Sequence, residues 1–198
     1  MPWFWIIAGP NGAGKSTLVE SGVVHALVGS GLTSLNADVR TKQLLDTDPA
    51  AADANLRAAI ETDARVVACI EQGMDFLVET VLSSDKYLDD IDRALSLEYR
   101  IGVIYVGLAS PEDSLERVAL RKATGGHGVP KDRIMKRWAR SIAMLGRVAP
   151  LSHRLHVYDN TSPFGPLLIA RKTGPHLELL APGRIPEIDA VLTVPEQT

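Results

Sequence analysis

The chain has a single cysteine among its 198 residues, Cys69. One cysteine excludes an intramolecular disulfide and points to a reducing cytosol. No apolar run approaches the roughly 18 residues that a membrane-spanning helix needs. The opening "MPWFWIIAG" is too short, and lacks the basic start, for a secretory leader; it reads as a buried first strand. Charge of one sign is also missing. A net charge of −3 gives no global field for nucleic acid or an acidic membrane surface. Hydrophobic residues make up 45% of the chain, enough for a sizeable core, and the length suits one domain, 1–198.

Apolar runs alternate with helical patterns, which predicts a parallel sheet flanked by helices. Strands are expected at Trp3–Ala8, Thr33–Asn36, Asp75–Thr80, Tyr99–Gly107 and in "RLHVYD", ending at Asp159. One helix is expected from near Gly14 toward Leu27. Another should present Leu56, Ile60, Val67 and Ile70 at helical spacing and close at Gly73. Asp85–Leu97 looks helical. "SPED", Ser110 to Asp113, combines a serine cap, proline at the first position and acids in the first turn. After Asn160 the character changes. Two short strands around Gly174-Pro175 and a helix near Ile185–Leu192 form an appendage, about 163–198.

Between the first strand and its helix, residues Gly9 to Ser16 read G-x-x-x-x-G-K-S. Glycines there let backbone N–H groups turn inward around phosphate oxygens, and the following helix start favours the same anion. The segment Gly9, Asn11, Gly12, Ala13, Gly14, Lys15, Ser16 and Thr17 is therefore the expected nucleotide-phosphate site. Lys15 would reach the β- and γ-phosphates, and Ser16 would be a ligand for Mg²⁺.

The companion motifs of other phosphate-loop classes are missing. There is no LSGGQ-like signature, no apolar strand ending in Asp-Glu, and no NKxD guanine motif. A small kinase remains. It needs a base near the acceptor hydroxyl, a substrate-holding segment and cations over the transferred phosphate. Asp38, after the second strand, is the candidate base, with helix capping as its other reading. Arg40 is a candidate to hold an anionic substrate group, with a plain surface arginine as its other reading. Glu79 and Thr80, closing the third strand, are candidates for substrate contact, with Glu79 also suited to a place behind Mg²⁺ and a salt-bridged strand end as the other reading. The segment 117–147 holds nine basic residues against one acid, Asp132. With the glycine-rich "TGGHG" between its two helices, it resembles a closing lid that brings Arg121, Arg137 and Arg140 over the phosphate. His127 marks the tip. A nucleic-acid face is the weaker reading, because no aromatic platform is interleaved.

In order and spacing, "GPNGAGKST", "LNADVR", "FLVETVLSS", "RKATGGHGVP", "IMKRWARSI" and "VYDNT" resemble the zeta-toxin-like kinases, closest to their short bacterial branch. The resemblance covers roughly Trp3 to Ala170. It implies a P-loop NTPase, α/β in class and nucleoside-monophosphate-kinase-like, with a central five-stranded parallel sheet. It also implies ATP and Mg²⁺, with a nucleotide sugar such as UDP-N-acetylglucosamine as acceptor and a small helical antitoxin as partner. By position, Lys15 and Ser16 are the phosphate-loop pair, Asp38 the general base and Glu79 the substrate-strand glutamate. Arg121 and Arg137 or Arg140 fall at the lid arginines. A metabolic small-molecule kinase without a toxic role, and an ATP-binding regulatory module, are the alternatives.

Overall fold

The computed structural model describes residues 1–29, 31–123 and 129–193. Seven strands form one sheet in the order β2-β3-β1-β4-β5-β6-β7. They are β1 (Trp3–Ala8), β2 (Thr33–Asn36), β3 (Phe76–Thr80), β4 (Arg100–Gly107), β5 (Arg154–Asp159), β6 (Leu167–Thr173) and β7 (His176–Leu179). The first five pair in parallel. Strands β6 and β7 then continue the sheet antiparallel from β5. The expected hairpin is present, and it is joined to the main sheet by pairing along the whole of β5.

Strand β1 shows why these segments are strands. It is apolar throughout, as suits a central strand covered on both faces. Phe4, Ile6 and Ala8 point to one side, into the larger core with residues of α4 (Ala54–Glu71), α5 (Lys86–Ser96), α7 (Lys131–Val148) and α8 (Pro186–Leu192). Trp5 and Ile7 point to the other, where Leu18 of α1 (Lys15–Glu20) and Val24 of α2 (Val23–Val28) cover them. This is the period-two alternation of a pleated strand.

Two expectations need correction, and one helix is an addition. The helix after the phosphate loop is two short helices, because Gly22 adopts φ +82° and breaks the run. Leu56 and Ile60 are 64% and 59% exposed. The buried stripe of α4 is Ala54, Ala58, Thr62, Val66, Cys69 and Ile70. Small residues at its start let α3 (Ala37–Thr47) approach, around Leu44, Ala54 and Ala58. And α3 itself, polar over most of its surface, carries too little apolar periodicity to be read from sequence.

The cap read in "SPED" forms reciprocally at the head of α6 (Pro111–Ala123). Ser110 N–H donates to Asp113 Oδ2, and Asp113 N–H donates back to Ser110 Oγ. Helix α7 is packed into the core by Ile134, Trp138, Ile142 and Leu145, with Trp138 Nε1 donating to the Leu108 carbonyl. The basic segment 117–147 is thus anchored along most of its second helix. The "TGGHG" tip with His127 lies outside the described residues.

Strands β1 and β4 lie close enough that Gly102 accommodates the Trp5 ring. A Cβ at Gly102 would sit 2.3 Å from Trp5 Cε3. Gly102→Ala should therefore lower unfolding stability by about 1–3 kcal/mol, the usual cost of overpacking a rigid core, as read by urea denaturation.

Candidate active site

The loop between β1 and α1 can bend as it does only through its glycines. Gly9 lies at φ +144° against β4, where a Cβ would fall 2.1 Å from the Val106 carbonyl oxygen. Gly12 and Gly14 adopt φ +76° and +88°. A side chain on Gly14 would strike Asn160 Nδ2 at 2.4 Å. Ala13 N–H turns back to the Pro10 carbonyl, and the first helical bond runs from Leu18 N–H to Gly14. The N–H groups of Lys15, Ser16 and Thr17 therefore belong to the donors that a helix start leaves without a partner in the helix. Helix α1 has only six residues, so the curled backbone, more than a long dipole, makes the cradle.

Lys15 is buried and folds back on this loop, donating from Nζ to the carbonyls of Gly9 at 2.8 Å and Pro10 at 3.1 Å. Burial pulls its ammonium down to about 8; Glu79 and then Asp38 oppose the shift, and Arg121 adds to it. These groups come from different segments, so the fold brings Lys15, Asp38, Glu79 and Arg121 into one electrostatic neighbourhood.

Glu79 is the joint of the site. Its Oε1 accepts from Ser16 Oγ at 3.0 Å and its Oε2 from Asn36 Nδ2 at 2.8 Å. The Asn36 oxygen in turn accepts from the N–H groups of Asp38 and Val39, capping α3. Asn36, and not Asp38, is the cap, which leaves the exposed Asp38 carboxylate in the first turn of α3 without that duty. A hydroxyl beside a carboxylate is a hard-oxygen pair of the kind that suits Mg²⁺. Among the described residues there is no cluster of three or more His, Cys, Asp or Glu for a metal held by protein alone.

Arg40 is committed elsewhere than to an open anion site. Its Nε donates to Glu61 at 2.5 Å and its Nη1 to Gln43 at 3.2 Å. Together they line a cleft of about 510 Å³ between β2, α3 and α4, with Asn36, Thr62 and Arg65. Thr80 serves the backbone, its hydroxyl accepting from Leu82 N–H. That bond holds Leu82 at φ +52°, a left-handed turn directly after the Glu79 strand. Arg137 is half-buried and Arg140 exposed on α7, next to the Tyr105–Ser141–Val81 relay that pins the helix.

Two groups escaped the sequence reading. Asn36 looked like a strand end, although Asn before a helix is a cap signal. Asn160 donates from Nδ2 to the Ala13 carbonyl at 2.8 Å and so braces the phosphate loop across 147 positions of sequence. No local pattern signals such a contact.

The sequence model of the family described as Zeta toxin matches residues 1–162. The chain belongs to the zeta toxin family. Its fold agrees with solved structures at low identity. The complex of AvrRxo1-ORF1 and -ORF2 with ATP aligns over 100% of this chain at 16% identity, with TM-score 0.71. This chain spans 65% of the length of that one. A structure from the PezAT chromosomal toxin–antitoxin system of Streptococcus pneumoniae aligns over 88% of this chain and 75% of its own. It has 15% identity and TM-score 0.61. No curated protein matches the chain. The resemblance read from the motifs, and the P-loop fold with five parallel strands, hold.

The state of Lys15 yields a pH prediction. In the free protein its ammonium is lost through about pH 8, so triphosphate affinity should fall above that pH, by up to about tenfold per unit. Stability moves the other way. The unfolded chain keeps this proton up to about 10.5, so the folded state gains as pH rises from 8 toward that value. Comparing wild type with Lys15→Met by calorimetry and thermal melts isolates both effects.

Proposed function

We propose that this chain is an ATP- and Mg²⁺-dependent phosphotransferase that moves the γ-phosphoryl group to a hydroxyl of a small molecule. The observation that carries this is the neighbourhood of Lys15, on which Glu79 at the end of β3, Asp38 just after β2 and Arg121 of α6 all act. There a cation, a carboxylate with no capping duty and a hydroxyl–carboxylate pair surround one phosphate cradle. A binding module needs the cradle and Lys15. It has no need of a carboxylate set beside them.

Asp38 takes the proton of the acceptor hydroxyl as that oxygen attacks the γ-phosphorus. The new oxygen–phosphorus bond forms as the bond to the bridging oxygen breaks, and ADP leaves. Lys15 exchanges the carbonyls of Gly9 and Pro10 for phosphate oxygens, and phosphate charge returns its pKa upward. Arg121 adds positive charge over the transferred group, and Arg137 and Arg140 are the further arginines of segment 117–147 in that role. Ser16 would hold Mg²⁺ together with the nucleotide, and the ion would supply charge neutralisation on the phosphates. Glu79 holds the Ser16 hydroxyl in place for it.

The acceptor enters beside β2 and α3, in the cleft where Asn36, Gln43, Thr62 and Arg65 offer polar groups beside the Arg40–Glu61 pair. The family membership supports a nucleotide sugar such as UDP-N-acetylglucosamine as the acceptor. The same family membership supports a toxin role, a small helical antitoxin and a cytoplasmic setting. No helix among the described residues is long and apolar enough to cross a membrane. The whole chain, 1–198, acts as one catalytic unit.

Asp38→Asn should bind ATP within about twofold of wild type while turnover falls by about 10²–10⁴, the usual contribution of a general base. Lys15→Ala should weaken binding and turnover together. The assay is labelled ATP with a metabolite extract, the phosphorylated product identified by mass spectrometry. Undiminished turnover in the Asp38 variant would remove the mechanism.

A further inference from the structure

Beyond residue 162, where the family match ends, one side chain reaches back toward the phosphate loop. Asp159, at the end of β5, is 2% exposed. Its Oδ1 accepts from the N–H and hydroxyl of Thr161 at 2.9 and 2.6 Å. Its Oδ2 accepts from both Nε and Nη2 of Arg184, at 3.0 and 2.8 Å. A carboxylate this buried needs a countercharge, and among the described residues Arg184 is the cation paired with it. Burial works to raise the Asp159 pKa, while the Thr161 and Arg184 bonds and the Arg184 charge bring it below the ordinary range.

The turn fixed in this way carries Asn160. Asn160 N–H donates to the Gly107 carbonyl, and its own carbonyl accepts from Arg117 Nη2 at 2.5 Å. Its amide lies against Gly14 and donates to Ala13, both within the phosphate cradle. Arg184 is equally well fixed. The preceding Gly183 donates its N–H to Asp189 of α8 at 2.6 Å. The following Ile185 is fully buried and reaches Gly107, where a Cβ would lie 2.8 Å from its Cδ1.

We propose that Arg184 is a positioning residue for nucleotide binding, acting through Asp159 and Asn160 to hold the Ala13–Gly14 segment in its phosphate-binding shape. The C-terminal segment is then a working part of the nucleotide site. Arg184 touches no phosphate. It sets the turn whose amide takes the Ala13 carbonyl, which leaves the neighbouring N–H groups aimed at the anion. This inference rests on the reading of the loop as an ATP site.

The test is a double-mutant cycle on the full chain, with ATP affinity measured by isothermal titration well below the melting temperature. Arg184→Ala should weaken ATP binding roughly tenfold, within the coupling range of residues in one hydrogen-bond network. Arg184→Lys, which keeps the charge but loses the planar fork, should restore part of that loss. In an Asn160→Ala background, either Arg184 change should add little. If Arg184→Ala does not fold, the Arg184→Lys pair carries the same comparison. A lower melting temperature with unchanged ATP affinity makes the residue merely structural and overturns the proposal, as do fully additive effects. Wild type that fails to bind ATP sinks the functional reading instead, so the two failures are distinguishable.

Discussion

The site depends on one carboxylate. Glu79 sits at the end of an apolar strand, where a charge is tolerated only with partners. It has two, and they come from opposite sides. Ser16 belongs to the first turn of α1, just after the loop leaving β1, and Asn36 to the strand on the far side of β3. Parallel pairing places the ends of β2, β3 and β1 side by side. Glu79 turns that adjacency into a fixed relation between the phosphate cradle and the helix that carries Asp38. Without it, the two halves of the proposed reaction would share a sheet but not a geometry.

The sheet supplies the rest through close approach. Gly9 fits against β4, Gly102 under Trp5, and Gly107 beneath Ile185 and Ile188. Each is a place where one element can pass another because a side chain is missing. These contacts set the height of the phosphate loop above the sheet and the position of the C-terminal segment beside it. Lys15 is stored within this frame on two carbonyls of its own loop, at the cost of a depressed ammonium pKa.

Much of this was legible in the sequence. Buried parallel strands read as continuous apolar runs, and β1 and most of β4 are of that kind. The phosphate loop, the "SPED" cap and the terminal hairpin carry local chemistry that announces itself. Less legible was whatever depended on distant partners. Gly22 breaks a helix that its apolar neighbours suggested was continuous. Leu56 and Ile60 have the spacing of a buried face, yet alanines at the start of α4 make the contact. Arg40 was legible as a cation near the site, but not its commitment to Glu61. Asn160 and Arg184 act across the fold through single hydrogen-bonded contacts, and no periodicity encodes those.

Asn36 has a consequence of its own. A primary amide gives and accepts at once, and this one does both: its nitrogen serves Glu79 and its oxygen serves the start of α3. It acts as a polarity adaptor between a negative group and a helix end that also seeks negative charge. An aspartate would satisfy the helix but confront Glu79 with a second anion. A longer glutamine would displace one contact to make the other. The spacing between phosphate donor and acceptor is therefore written into the dimensions of a single amide.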